Sequence, residues 1–104
     1  MENVPPSHGN ARAADRRAVG FKAHLRESGG SRLDVDVQDL SRTGFRIDSV
    51  YGIAVGRRVH LTIPSFAPLE AEVAWREKSA YGCRFLQPLH PAVFDTIVAR
   101  HQIG

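Results

Sequence analysis

Residues 19–37 read VGFKAHLRESGGSRLDVDV, two alternating segments on either side of a glycine turn. In the first segment Val19, Phe21, Ala23 and Leu25 alternate with glycine or polar residues, which is the period of a β-strand with one buried face. The run Ser28-Gly29-Gly30-Ser31 has the composition of a hairpin turn, and the second segment resumes the alternation. This stretch therefore predicts an antiparallel β-hairpin.

The same period continues beyond the hairpin, so that the chain contains six alternating segments in all. Turn-like stretches separate the later segments at residues 40–44, 51–56, 64–68 and 77–80. Short strands at this spacing are typical of all-β barrels and sandwiches, and closure into a barrel removes exposed sheet edges. We therefore predict an all-β fold of six antiparallel strands, either a barrel or a sandwich. The later apolar positions are Phe45 and Ile47; Val59, Leu61 and Ile63; Leu69, Ala71, Val73 and Trp75; Tyr81, Cys83 and Phe85.

The end of the chain changes to a helical period. Pro88-Leu89-His90-Pro91 ends the last strand, and a proline near a first helical turn is favourable because its missing N–H would be unpaired there in any case. We predict a short C-terminal α-helix over residues 91–102 that packs over a mouth or an edge of the barrel. Its inward stripe comprises Val93, Phe94, Ile97, Val98 and His101.

The length of 104 residues allows one domain with a modest core. We predict a disordered leader over residues 1–11 and a domain over residues 12–104, with a flexible N-terminal arm at 12–18 and the barrel at 19–87. No apolar run approaches the roughly 20 residues that span a bilayer, and the N-terminus lacks the features of a signal peptide. The single cysteine, Cys83, excludes an internal disulfide and is expected to be an inert core residue. We therefore expect a cytoplasmic protein.

The N-terminal arm is cationic. It carries Arg12, Arg16 and Arg17 against only Asp15, although the whole chain has a net charge of only +3. A guanidinium group grips a phosphate with two hydrogen bonds and also suits the O6/N7 edge of guanine. The arm is therefore a candidate anion site, and the alternative is a solvated basic tail that aids solubility.

The second candidate segment is Asp39-Leu40-Ser41-Arg42-Thr43-Gly44, between two strand-like segments. The Asp39 carboxylate would repel phosphate, so it suits a ligand that presents donors, such as the N1–H and amino groups of guanine. Gly44 permits a close approach of a ligand or a strand. The alternative is that Asp39 and Ser41 cap a turn through their own backbone. Arg16 and Asp39 are separated by about one hairpin, which predicts that they are neighbours in space.

At these residues the chain resembles the PilZ domain, the bacterial receptor module for cyclic di-GMP. The two signature motifs of that family, Arg-x-x-x-Arg and Asp/Asn-x-Ser-x-x-Gly, read here Arg12-Ala-Ala-Asp-Arg16 and Asp39-Leu-Ser-Arg-Thr-Gly44. Val55-Gly56, Ala74-Trp75 and Gly82-Cys83-Arg84-Phe85 are also similar to the family, so the resemblance covers roughly residues 12–98. It implies a six-stranded antiparallel barrel with a C-terminal helix.

The resemblance also implies roles for individual residues. Arg12 and Arg16 would bind guanine and phosphate groups, and Asp39 and Ser41 would hold a guanine edge. Gly44 would shape the turn. Arg17 lies next to the first motif and is a further candidate for a phosphate contact, or equally points to solvent. Such sites often accept a mutually intercalated ligand dimer.

The leading hypothesis is a non-enzymatic receptor. Cyclic di-GMP would bridge the arm and the barrel, order residues 10–18 and create a face for an unidentified downstream protein. We expect no catalytic residues, metal site or cofactor, because Ser41 is not in a Gly-x-Ser-x-Gly elbow and the five histidines lack metal-ligand spacing.

Two alternatives remain open. One is a ligand-independent adaptor that acts through its helix or the face around Tyr51-Gly52-Ile53. The other is a small barrel that binds RNA or single-stranded DNA through arginines. We disfavour nucleic acid because its binders need exposed aromatic platforms, whereas the aromatic residues here fall in the apolar phase and are expected in the core. Those arginines are Arg12, Arg16, Arg17, Arg57 and Arg58; those aromatic residues are Phe21, Phe45, Trp75, Tyr81 and Phe85.

Overall fold

The computed structural model describes residues 16–102 of the chain. Neighbouring strands pair antiparallel in the order β1-β2-β3-β6-β5-β4, and β4 pairs with β1 to close a barrel. The predicted fold class, a six-stranded antiparallel β-barrel with a short C-terminal helix, is confirmed. The predicted leader and residues 12–15 of the predicted arm lie outside the described residues. The elements are β1 Arg17–Glu27, β2 Arg32–Leu40, β3 Gly44–Asp48, β4 Arg58–Thr62, β5 Leu69–Glu77, β6 Ala80–Phe85 and α1 Pro91–His101.

The hairpin expected around residues 28–31 joins β1 to β2. His24 pairs with Asp34 and Leu25 pairs with Leu33 across the two strands. The turn contains Gly29 with a φ of +77°, a left-handed conformation that glycine adopts without strain. Gly29 therefore lies where the sequence predicts a turn and where the backbone adopts a left-handed conformation.

The buried core of residues 16–102 is mainly apolar but includes the phenol group of Tyr81. Tyr81 has no exposed surface, and its hydroxyl accepts a hydrogen bond from the Ile53 N–H at 3.1 Å and donates to the Tyr51 carbonyl at 3.0 Å. Buried polar groups must find partners, and here the phenol pairs with the backbone of the loop between β3 and β4. That loop is consequently tied to the core. The Tyr51 side chain itself remains 48% exposed.

The register of the barrel shifts at three places. In β1 the shift lies between Ala18 and Phe21. In β2 it lies between Val37 and Asp39, and in β5 between Val73 and Trp75. Each shift leaves one extra residue on one strand, as in a β-bulge, so the side chains that follow change face.

The predicted core position of Trp75 is wrong for this reason. Uninterrupted alternation from Ala71 and Val73 would bury Trp75, but Ala74 is the extra residue of the β5 shift. Trp75 consequently points outward, is 37% exposed and pairs with Gly82.

The helix α1 begins after His90, whose Nδ1 atom accepts a hydrogen bond from the Ala92 N–H at 3.0 Å. This side chain takes the place of the usual Ser or Asp cap. At the other end, the His101 ring stacks on Phe21 of β1 at 4.1 Å between ring centroids. The helix therefore packs beside β1, with Phe94, Ile97 and Val98 buried. No helix within residues 16–102 is long and apolar enough to cross a membrane.

Replacing Tyr81 by phenylalanine should destabilise the fold. The Tyr81→Phe variant leaves the Ile53 N–H and the Tyr51 carbonyl without their partner, which costs about 1–3 kcal/mol for a buried pair. Urea unfolding of the variant and the wild-type protein measures this loss. The matched control is Tyr51→Phe, an exposed phenol for which a change within about 0.5 kcal/mol is expected; equal effects of the two variants would contradict the role given to Tyr81.

Candidate ligand-binding site

A cleft of about 540 Å³ opens on the outer surface of the barrel, where β2, β3, β5 and β6 lie side by side. Two of the three register shifts border it, at Asp39 and at Trp75. Both shifts turn outward a side chain that strict alternation would have directed inward. The residues that line the cleft are Arg16, Asp39, Leu40, Ser41, Thr43, Gly44, Phe45, Arg46, Ala74, Trp75, Gly82, Cys83 and Arg84.

The β2 shift determines the direction of Asp39. Val37 and Leu40 are both fully buried, although two residues separate them and strict alternation would direct them to opposite faces. The extra residue, Gln38, resolves this conflict, so that Leu40 reaches the core and the Asp39 carboxylate reaches the cleft. The acid of the second motif is therefore exposed to a ligand because of a backbone irregularity.

Asp39 lies between two arginines. Its Oδ2 atom is 3.5 Å from Nη2 of Arg16 and 3.3 Å from Nε of Arg46. Arg46 is further held by Gln38, since its Nη2 donates to Oε1 of Gln38 at 3.2 Å. The predicted proximity of Arg16 and Asp39 is confirmed, and Arg46 completes a chain of polar side chains along one wall.

Ser41 shapes the loop between β2 and β3. Its Oγ atom accepts hydrogen bonds from the N–H groups of Thr43 at 3.2 Å and Gly44 at 3.1 Å, and only 8% of the residue is exposed. Its own N–H donates to the Gly44 carbonyl at 2.9 Å. The turn-capping alternative therefore describes Ser41 in this structure, and a direct bond from its hydroxyl to a ligand stays a prediction.

Two further contacts hold the same loop. A Cβ atom at Gly44 would collide with the Cys83 carbonyl of β6, so the close approach expected at this glycine is present. Arg42 is bonded to Leu89 in both directions: its Nε donates to the Leu89 carbonyl at 2.9 Å, and the Leu89 N–H donates to the Arg42 carbonyl at 2.7 Å. The loop is thus joined to the segment that leads into α1.

The opposite wall of the cleft is formed by β5 and β6. The indole of Trp75 lies directly against Gly82, where any side chain would overlap it. Arg84 is paired with Glu72 at 2.7 Å between Nη2 and Oε1. This wall therefore offers an aromatic surface and a second cationic group.

The predicted site residues are distributed as follows. Arg16, Asp39, Ser41 and Gly44 come together in the cleft. Arg17 is the first residue of β1, outside the lining, and its Nη1 donates to the Arg16 carbonyl at 3.2 Å. Arg12 lies outside the described residues.

Three lining residues with a charged or an exposed aromatic side chain were not predicted as site residues. Arg46 stands between two inward residues of β3 and could have been predicted to face outward, but nothing in the sequence connects it with Asp39. Arg84 faces outward by the same alternation in β6. Trp75 could not be found because its outward direction depends on the β5 shift.

The cleft combines groups that suit an anionic, base-containing ligand. Arginine forks can bind phosphate, the Asp39 carboxylate can accept from a base edge, and the indole can contact a ring face. Among residues 16–102, no three or more His, Cys, Asp or Glu side chains come together as a metal site.

Comparison with known proteins agrees with this geometry. The family model described as PilZ domain matches residues 10–100. No curated protein matches the chain.

An alanine at Gly44 should strain the barrel. The Gly44→Ala variant places a methyl group against the Cys83 carbonyl, a backbone atom that cannot move independently of β6. Overpacking of this kind typically costs 1–3 kcal/mol, roughly the loss expected in urea unfolding. Gly52→Ala is the matched control, since the added Cβ atom would lie 3.9 Å from its nearest neighbour, Nη1 of Arg76. A variant at Gly44 as stable as the control would contradict the close contact.

The thiol of Cys83 should be unreactive in the folded protein. Burial raises the pKa of Cys83 to about 12, so at pH 8.5 only about one thiol in three thousand is ionised, against about half in an unfolded chain. Alkylation by iodoacetamide at pH 8.5 should therefore be at least about a hundredfold slower than in urea. Labelling of the native protein at the rate found in urea would show that the thiol is accessible and ionised.

Proposed function

The chain belongs to the PilZ domain family, a family of receptor modules for cyclic di-GMP, and from this premise we propose that it binds cyclic di-GMP in the cleft beside Asp39. The observation that carries the proposal is the convergence of Arg16, Asp39 and Arg46 on one wall, next to a loop held by Ser41 and Gly44. Both signature motifs contribute to this part of the surface.

The charge of the cleft suits this ligand. Its described lining contains three arginines and one aspartate, a formal charge of +2, and cyclic di-GMP carries two phosphodiester groups. Arg16 is well placed to bind a phosphate, because its pairing with Asp39 is long at 3.5 Å and its side chain is 41% exposed. An exposed ion pair of this kind contributes only about 0–1 kcal/mol, so a phosphate can replace the carboxylate at little cost.

Arg12 completes the first motif in this proposal. It precedes Arg16 by four residues, and an extended chain spans at most about 3.5 Å per residue, so covalent geometry keeps Arg12 within roughly 14 Å of Arg16. The sequence predicts an arm up to residue 18, but β1 already begins at Arg17, so a ligand bound by both arginines would fix only the residues before β1 against the barrel. The new surface would then be offered to a downstream protein, which makes the module a non-enzymatic signal receptor. A cytoplasmic location stays a prediction.

A second candidate is an adaptor that acts without ligand. It is favoured by the loop between β3 and β4, where Val50 is 91% exposed and Tyr51 is 48% exposed although Tyr81 ties the loop to the core. A rigidly held apolar surface of this kind suits a protein contact. Ligand titration separates the two candidates.

Binding of single-stranded nucleic acid is a third candidate function. The exposed Trp75 supplies an aromatic platform of the kind that such binding needs, which the sequence did not predict. Within residues 16–102, however, this is one platform in a cleft of limited volume. A preference for oligonucleotides over cyclic di-GMP in the same titration would favour that function.

Removal of the Arg16 side chain should abolish binding without unfolding the protein. Isothermal titration of Arg16→Ala with cyclic di-GMP is expected to show at least about a hundredfold weaker binding, because charge-assisted contacts to phosphate or guanine are lost. Its stability should change by about 1 kcal/mol or less, since the lost ion pair is exposed.

The matched control is Arg57→Ala, which removes an exposed arginine paired with Glu27 outside the cleft and should keep wild-type affinity. Cyclic di-AMP and GTP serve as ligand controls. A folded wild-type protein that gives no heat with cyclic di-GMP, or an Arg16→Ala variant with full affinity, would contradict the proposed site.

A further inference from the structure

We propose that Arg46 determines base specificity by donating a hydrogen bond to O6 of the guanine whose N1–H and amino groups face Asp39. This inference rests on the proposed function, and it assigns a role to a residue outside both signature motifs. Arg46 lies in β3 between the inward-directed Phe45 and Ile47, and its side chain lines the cleft.

The Arg46 side chain is partly buried and partly exposed. The Nε atom is buried and makes no hydrogen bond, although it lies 3.3 Å from Oδ2 of Asp39. The side chain as a whole is 41% exposed and lines the cleft. Nη2 is engaged by Gln38, and neither recorded partner of Arg46 within residues 16–102 uses Nη1. The guanidinium group therefore retains donor capacity toward a ligand.

A carboxylate beside a guanidinium group matches one base edge. Guanine presents an acceptor at O6 followed by two donors, N1–H and the amino group. Asp39 can only accept at neutral pH and Arg46 can only donate, so the pair supplies the complementary order. Adenine reverses the pattern at the first two positions: its amino group would face the guanidinium group and its N1 lone pair would face the carboxylate. Both contacts are repulsive, so the pair would reject adenine.

The other cleft arginines are less suited to this role. Arg84 is engaged by Glu72 at 2.7 Å, on the opposite wall. Arg16 precedes β1, and within residues 16–102 its side chain is oriented by a long contact to Asp39 at 3.5 Å. Arg46 is instead attached to a paired strand and held by Gln38 as well as by Asp39. A group that reads a base edge must be fixed in direction, because its hydrogen bonds lose strength quickly with misalignment.

Gln38 helps to position both Asp39 and Arg46. Gln38 is the extra residue of the β2 shift, and the same irregularity that directs Asp39 into the cleft provides the amide oxygen that holds Arg46. The acceptor and the donor of the base-reading pair are thus positioned by one feature of the backbone.

The test is to titrate the wild-type protein and variants of Arg46 with two ligands that differ only at position 6 of the base. The ligands are cyclic di-GMP and its analogue with 6-thioguanine in both bases, which keeps N1–H and the amino group but has a weaker acceptor at position 6. The wild-type protein should bind the analogue about tenfold more weakly, as expected for weakening a hydrogen bond from a charged donor.

Arg46→Met should bind cyclic di-GMP about ten- to a hundredfold more weakly than the wild type and should not distinguish the two ligands. A merely structural role for Arg46 would lower both affinities but leave the discrimination in place. Arg46→Lys keeps a cationic donor group and should retain part of the discrimination between the two ligands. This variant also serves as the test if Arg46→Met does not fold. The matched control is Arg84→Met, which removes the same charge from the same cleft and should keep the full discrimination.

The outcomes separate this inference from the proposed function. A wild-type protein that does not bind cyclic di-GMP overturns both. Binding of cyclic di-GMP with equal affinity for the thio analogue, or an Arg46→Met variant that still prefers the guanine ligand tenfold, overturns the role of Arg46 and leaves the receptor assignment in place. Loss of discrimination in Arg46→Met with its retention in Arg84→Met supports the inference.

Discussion

The structure depends on one constraint: six short strands share a single closed interior. In a closed barrel every strand must send alternate side chains inward, so a residue's face is set by its position relative to the buried residues around it. The shifts in β2 and β5 change this count by one residue, and both border the cleft. Asp39 and Trp75 reach the surface because Gln38 and Ala74 are inserted before them. The candidate site is thus formed where two strands depart from the alternation that builds the core.

Much of the fold could be predicted because period-two alternation and turn composition are local properties of the sequence. The predicted hairpin was found around Gly29, and it brings Arg16 near Asp39, as expected. The contact between their side chains also depends on the β2 shift, which directs the Asp39 carboxylate into the cleft. The direction of Trp75 could not be predicted, because a one-residue insertion has no signature in composition. The pairing of Arg46 with Asp39 was also hidden, since it requires both the strand register and the β2 shift. Sequence patterns therefore predict the core better than the site.

The shape of the loop between β2 and β3 depends on groups that a ligand need not contact. Ser41 uses its hydroxyl on the loop backbone, and Gly44 lets the loop lie against β6. Arg42 and Leu89 then join the loop to the start of α1 by two hydrogen bonds. A signature motif can thus combine one side chain that faces a ligand with others that keep the backbone in place. This division explains how the motif can matter for binding even where its serine is buried.

The two arginines beside Asp39 differ in how firmly they are held, and in the proposed site this difference would suit them to different tasks. Arg46 is restrained by Gln38 and by its place in a paired strand, which suits recognition of a base edge whose geometry does not change. Arg16 stands one residue before β1 with a weak contact, which suits a phosphate that approaches from outside the barrel. Binding that replaces the Arg16 contact with a stronger one would also fix the direction of the preceding chain, because Arg16 is where the barrel begins. Ligand recognition and rearrangement of the N-terminal arm would then be one event at one residue.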